Sequence, residues 1–197
     1  MKSGALNLES SEIKILVDKQ GEPTEIIECE NDESHQLVEE FMLLANETVA
    51  KTLRKNKLHG IYRVHPEPDP ESLEELRDFV ALFGLTCGEL SSRKEVNKLL
   101  KAINGHSLSQ VIRIRFLRSM KQACYRAKPE GHYGLHKRDY LHFTSPIRRY
   151  ADLVVHRNVG QWIRGEKRSR IDFSKLDQLG KHLSRTERNS VEAERES

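Results

Sequence analysis

The stretch His132–Arg157, HYGLHKRDYLHFTSPIRRYADLVVHR, sets two arginines at what reads as the start of a helix. Ser145 suits the N-cap and Pro146 the first helical position, with Ile147, Ala151, Val154, Val155 and Trp162 following along one apolar face. That register puts Arg148 and Arg149 in the first turn, where the helix dipole makes a cation cost up to about 1 kcal/mol unless an anion faces it. A phosphate reverses the sign. Free backbone N–H groups and two guanidiniums, each able to grip phosphate oxygens bidentately, would converge on it. Asp152 and His156 follow Arg148 at four-residue spacing, so Asp152 is expected to hold the Arg148 side chain in a fixed direction. The plain alternative is an arginine pair reaching to solvent or to surface carboxylates.

Upstream, alternation over Glu12–Leu16, turn residues at Asp18–Gly21 and a return over Thr24–Cys29 predict a hairpin. A long helix follows, capped by Asn31 or Asp32 and ending near Lys55, with Leu37, Phe41, Leu44, Ala45 and Thr48 as its expected buried stripe. Glu39 and Asn46 share the opposite line and would form a polar strip. Gly60–His65 reads as a short buried strand, and the proline-rich HPEPDPES leads into a helix from Ser72 to Phe83 with Gly84 beyond it. Two more helices are expected over Arg93–Ile103 and Ser107–Arg126, the second burying Val111, Ile114, Phe116, Leu117 and Met120. His132–Phe143 reads as a loop and then a strand, and a last helix begins near Phe173. The expected fold class is α+β, helix-rich, with a short antiparallel hairpin and helices packed on a mixed sheet.

With 197 residues, 37% hydrophobic and 32% charged, the chain has the balance of one globular unit. No apolar run reaches membrane-spanning length and no signal peptide opens the sequence, so no membrane association and a cytoplasmic location are expected. Cys29, Cys87 and Cys124 lack CxxC spacing, which argues against a zinc site and a disulfide framework. His132 and His136 are four apart, but Gly134 between them works against a helix presenting both to a metal. Glu67 and Asp69 form the nearest carboxylate pair and sit in the proline-rich turn. The net charge of +3 is mild, so the placement of the cations carries the argument for a polyanion partner. Tyr133, Tyr140, His142 and Phe143 interleave with Lys137 and Arg138, a pattern suited to a single-strand channel with stacking surfaces, although core packing is the rival for Phe143.

The same residues resemble a known family. HYGLHKRDYLHFTSPIRRYADLVVHR is similar to the late core signature of the ribonuclease II and ribonuclease R exoribonucleases, built on an RNB catalytic domain. The resemblance runs back through SGALNLESSEIKILVDKQGEPTEI, LVEEFMLLAN from Leu37 and HGIYRVHPEPDPESLEELRDF from His59, and forward to LSRTERNSVEAER, most closely in the ribonuclease R branch. It implies 3′-to-5′ hydrolysis of single-stranded RNA to nucleotide monophosphates, with Mg²⁺ held by an aspartate-rich motif that this sequence does not contain. Residues 1–197 would then be the C-terminal part of an RNB domain, the cold-shock, aspartate-motif and S1 segments being absent. Such a fragment is expected to be a monomer, inactive alone, with the missing N-terminal half of the domain as a possible partner.

By the same resemblance Arg148 matches the arginine that holds the scissile phosphate, and Arg149 and Tyr150 shape the same wall. Glu39, the first glutamate of LVEE, matches an active-site carboxylate at the terminal nucleotide, where a carboxylate can read the ribose 2′-OH. Glu194 of EAER matches a further glutamate by position alone. Leu8 stands where many members have an aromatic residue to stack on the last base, which weakens a contribution of about 1 to 3 kcal/mol. Asn46, Tyr133, Tyr140, His142 and Lys137 complete the expected RNA-binding set, with no metal ligand among them. The alternative is a non-catalytic RNA-binding or protein-interaction module derived from an RNB domain.

Overall fold

Strands Glu12–Val17 (β1) and Pro23–Cys29 (β2) pair antiparallel, with Ile15 opposite Ile26. In the turn between them Asp18 Oδ1 accepts from the Gln20 and Glu22 N–H groups at 2.8 and 2.9 Å, and Gly21 takes φ +88°, a conformation that favours glycine. This hairpin belongs to a computed structural model that describes residues 6, 12–29, 32–166 and 173–196, so the expectation for Leu8 falls outside the described residues.

The long helix runs over Glu33–Lys55 (α1), and Asp32 is its N-cap, accepting from the His35 N–H at 2.9 Å. Its buried line is the reverse of the expected one. Asn46, Ala50 and Leu53 face the core, while Leu37, Phe41 and Leu44 are 59%, 63% and 58% exposed. Tyr62–Val64 (β3) follows and pairs antiparallel with Cys124–Arg126 (β4). The predicted helix to Arg126 therefore ends early. Ser109–Ser119 (α4) stops before Met120, which is extended, and the chain turns into β4 because Tyr125 finds a ladder partner in Arg63. Helix α4 buries Ile112 and Phe116 and leaves Val111, Ile114 and Leu117 exposed.

The α+β class holds, and the described strands form two antiparallel pairs rather than one mixed sheet. Pro70–Ala81 (α2), Arg93–Ala102 (α3) and α4 make a helical lobe around Leu76, Val80, Val96, Ile103, Ile112 and Phe116. Around the β3–β4 ladder the period of two separates the packing. Tyr62 and Val64 pack with Ala50 and Leu53 of α1, Leu141 and Val155, whereas Ile61 packs with Tyr125 and Leu176. The last helices are Tyr150–Ile163 (α5) and Phe173–Glu196 (α6). Helix α6 lies so close to β4 that a Cβ at Gly180 would meet the Tyr125 carbonyl oxygen at 2.7 Å, and Ser184 Oγ accepts from the Tyr125 N–H at 2.8 Å. Arg63 and Glu187 close this seam at 2.6 Å.

The helix expected from Ser145 begins later. Pro146–Arg148 form a turn, Arg149 is extended (φ −125°, ψ 115°) and serves as N-cap position, and α5 starts at Tyr150. Asp152, fully buried, draws the backbone into this shape by accepting the Ser145 N–H at 2.8 Å. Ala151, Val154 and Val155 are buried as expected, while Ile147 stands fully exposed on the turn and Trp162 is 41% exposed.

Candidate nucleic-acid interface

The turn decides which arginine is held. Asp152 grips Arg149, not Arg148, through Nε at 2.8 Å and Nη2 at 2.9 Å. The pair is a bidentate fork anchored on a buried carboxylate, the geometry that fixes a guanidinium most firmly. Two of its N–H groups are spent there and the others remain for a ligand. Arg148 is exposed on the preceding turn, with no ion pair or hydrogen bond among the described residues. His156, expected in line with Arg148, instead donates from Nε2 to the Phe143 carbonyl at 2.8 Å and stacks on the Phe143 ring at 4.0 Å.

Arg149 opens onto a cleft of about 520 Å³ whose other wall is the first three turns of α1. Glu39 and Asn46 line it together with Tyr140, and Val38, Met42 and Leu43 supply apolar surface. Asn46 is the hinge of the arrangement. Its Nδ2 donates to the Tyr140 hydroxyl at 3.1 Å and its Oδ1 accepts from the Phe143 N–H at 2.9 Å, tying α1 to the segment that delivers Arg149. Burial pushes the Tyr140 phenol up, so it stays protonated. At the cleft mouth His35 lies 2.7 Å from the Asp32 carboxylate, which the Ser34 hydroxyl and the His35 N–H and ring hold below the usual carboxylate range. Ser34 and His35 were not singled out from the sequence; His35 sits one turn before Glu39, and that spacing was the available signal.

Behind the cleft runs a ladder of tilted rings. His65 to His132, His132 to Tyr140, Tyr140 to His142 and His142 to Tyr125 have centroids 5.1, 5.3, 5.9 and 5.7 Å apart. The Gly134 N–H donates to Nδ1 of His65 at 3.1 Å and the Leu135 N–H to Nδ1 of His132 at 3.2 Å, which requires a lone pair on each nitrogen and so a neutral ring. Burial pushes His132 down to about 3, helped by His65 and Arg63. His142 is also down to about 3, through burial first and then the charges of Arg149 and Arg63, with Arg148 contributing. These imidazoles are structural rings at working pH, not cations for a phosphate.

The remaining expected residues are placed apart. Tyr133 and Lys137 line a second cleft of about 420 Å³ with His65, Arg93 and Arg138. Lys137 is paired with Glu47 of α1, which does not line this cleft, at 2.7 Å, and Arg93 covers the Tyr133 ring at 5.3 Å. Burial works to raise Glu47, and Lys137 and Lys51 outweigh it, leaving the carboxyl below its ordinary value. Tyr150 is 49% exposed with Arg157 over its ring, and Glu194 sits on the exposed end of α6, outside the residues lining the first cleft. Among the described residues no group of three or more His, Cys, Asp or Glu is placed to hold a metal ion. Asp69 is the N-cap position of α2 and pairs with Lys121 at 2.5 Å.

The RNB domain profile matches residues 1–165. The ribonuclease R of Thermotoga maritima is 39% identical over 98% of the chain and 28% of the relative's length. The structure of Mycoplasma genitalium RNase R in complex with ribose methylated single-stranded RNA aligns with a TM-score of 0.89 at 29% identity, over 99% of this chain and 32% of that one. Yeast Ssd1, described as a pseudonuclease, aligns with a TM-score of 0.67 at 26% identity over 76% of this chain and 19% of that one. The chain spans about a quarter of the length of the curated relatives it matches. On the profile match, the sequence identity and the shared fold, this chain belongs to the RNB domain family.

Proposed function

We propose that the chain forms the RNA-gripping wall of a 3′-to-5′ exoribonuclease that hydrolyses single-stranded RNA to nucleotide monophosphates. The observation that carries this reading is the cleft in which Arg149, fixed by a buried carboxylate, faces Glu39 and Asn46 across a space of about 520 Å³. A guanidinium that cannot swing away presents its free N–H groups to a phosphate without a further loss of side-chain entropy. Glu39 accepts from the ribose 2′-OH, which distinguishes RNA from DNA, while Val38 and Met42 give the base an apolar surface. Arg148, exposed one residue earlier, adds a second cation for the scissile phosphate.

Among the described residues no cluster of carboxylates fits a Mg²⁺ site, so the metal of the family chemistry is assigned to ligands outside the described residues. The chain alone is then a binder, and cutting requires the remainder of an RNB domain. A cytoplasmic monomer is the expected form. The likeness to the Ssd1 pseudonuclease favours a second reading, an RNB-derived module that binds RNA without cutting.

Fluorescence anisotropy with an end-labelled single-stranded RNA tests the grip. Arg149→Ala should weaken binding at least about tenfold and reduce the slope of log K against log salt by roughly 0.7, one phosphate contact on a single strand. Equal affinity for the variant overturns the cleft as the RNA site. Joining the segment in place of its counterpart in the Thermotoga maritima enzyme and adding Mg²⁺ separates the readings: trimming supports the exoribonuclease, and binding without trimming supports the module.

A further inference from the structure

Helix α6 carries Phe173, Asp177, Lys181, Ser184 and Arg188 along one line, each three or four residues from the next. This line faces β4 and the loop after it across a groove of about 580 Å³, with Arg126, Lys128 and Glu130 on the other wall. The floor is fixed, because Ser184 Oγ accepts from the Tyr125 N–H and donates to the Gly180 carbonyl, both at 2.8 Å. The groove is separate from the Arg149 cleft and shares no lining residue with it: α1 packs on the Tyr62 and Val64 side of the β3–β4 ladder, α6 on Tyr125. Its charges do not cancel. Arg126 is taken up by Glu130 and the Cys124 sulfur, and Lys181 by Asp177 at 2.9 Å. Lys128 and Arg188 have no carboxylate partner among the described residues. Arg188 spends its Nε on the Ser184 carbonyl at 3.1 Å, and the Lys128 ammonium lies 5.6 Å from the centre of the Phe173 ring, which is 38% exposed. An uncompensated cation thus stands at each end of the groove, with an aromatic ring beside one of them.

We propose that the groove between α6 and β4 is a second track for single-stranded nucleic acid, holding a stretch of strand outside the Arg149 cleft. Its length selects the ligand. Phe173 and Arg188 are four turns of helix apart, about 22 Å, so a single nucleotide is too short to touch both and a short strand is not. A base stacks on the Phe173 ring, and one phosphate takes Lys128 while a later one takes the two terminal amino groups of Arg188. Between them Arg126 and Lys181 are already neutralised by their carboxylates, so the strand is gripped at its ends and passes over a neutral middle. An acidic peptide would also satisfy the two cations, but it has no use for an exposed ring beside one of them, whereas every base offers a flat face to that ring. Because the walls are held by backbone and hydroxyl hydrogen bonds, the groove exists before the strand arrives.

The test is anisotropy of an end-labelled oligouridylate in the Arg149→Ala background, where the cleft has lost its grip, with thermal melting by circular dichroism to check each variant. Residual binding is expected there, and its absence overturns the proposal. Adding Lys128→Gln and Arg188→Gln should weaken that binding at least about tenfold and lower the slope of log K against log salt by roughly 1.4, two phosphate contacts on a single strand. Phe173→Leu should weaken it by about tenfold with the slope unchanged, since stacking is not ionic. Removing two exposed cations elsewhere, Lys19→Gln with Lys98→Gln, should change affinity by less than about twofold. An equal loss in that distant pair overturns the proposal in favour of unspecific attraction, and displacement of the RNA by polyglutamate at equal charge overturns it in favour of an acidic peptide. If the Arg188→Gln protein melts below its parent, Lys128→Gln alone decides: a slope lower by roughly 0.7 supports the track and an unchanged slope overturns it. The two sites fail separately, because loss of RNA confined to Arg149→Ala removes the groove and loss confined to the groove variants removes the cleft.

Discussion

Asp152→Asn should destabilise the chain by about 3 kcal/mol. Asp152 is fully buried and binds both Nε and Nη2 of Arg149, whose side chain is 20% exposed. Removing one partner of a buried pair costs roughly 3 to 5 kcal/mol because the other charge is left uncompensated, and the partial access of water to Arg149 sets the lower end. Asparagine keeps an oxygen for the Ser145 N–H, so the turn survives, but its NH₂ group meets the guanidinium donor to donor. For a chain of this length the loss corresponds to a melting point lower by about 6 to 12 °C. Adding Arg149→Met removes the orphaned cation, so the double variant should recover more than half of the deficit. Urea unfolding at neutral pH, followed by far-ultraviolet circular dichroism for both single variants and the double, gives the coupling. Additivity within about 0.5 kcal/mol would refute the claim that Asp152 acts by holding Arg149.

Acid should weaken the fold well before its carboxylates titrate. His132 and His142 fall from the ordinary 6.5 to about 3 on folding, so between those values the unfolded chain binds more protons than the folded one. Stability is therefore complete above pH 6.5 and declines as the pH falls, with a slope approaching about 2.7 kcal/mol per pH unit from the two rings. Urea midpoints at pH 7.5 and 5.5 measure it; His132→Gln should roughly halve the difference, and an unchanged midpoint in the parent would contradict the buried neutral ladder. Gly180→Ala offers up to about 1 kcal/mol of helix propensity, yet its Cβ would meet the Tyr125 carbonyl oxygen at 2.7 Å, so a net loss of about 1 to 3 kcal/mol is expected. A melting point equal to or above that of the parent would show that α6 is not pressed against β4.

Elements coded by neighbours in the chain were legible in the residues. Asp18 and Gly21 close their turn through their own side chain and φ, and Asp32 caps α1 through the His35 N–H, all within four residues, while α2 opens at Pro70, two residues before the expected Ser72. The candidate site was half legible: Glu39 and Asn46 share one line of one helix, and Asn46 and Tyr140 do meet in one cleft. Glu194 and Tyr150 did not join them, because their places on α6 and α5 are set by how those helices pack.

Three matters were decided only in three dimensions. Periodicity says that the two faces of α1 differ, and the core of this chain chose the Asn46–Ala50–Leu53 line, because β3, Leu141 and α5 lie on that side. Strand β4 exists because β3, sixty residues earlier, offers it a ladder, which outweighs the helical pattern around it. Ser145 and Pro146 look like a helix start, and the sequence by itself therefore determined that two arginines stand at the head of α5. Which of them is held was a tertiary decision: a buried carboxylate cannot stay unpaired in a low dielectric, and among the described residues Arg149 and the Ser145 N–H are what the fold brings to Asp152.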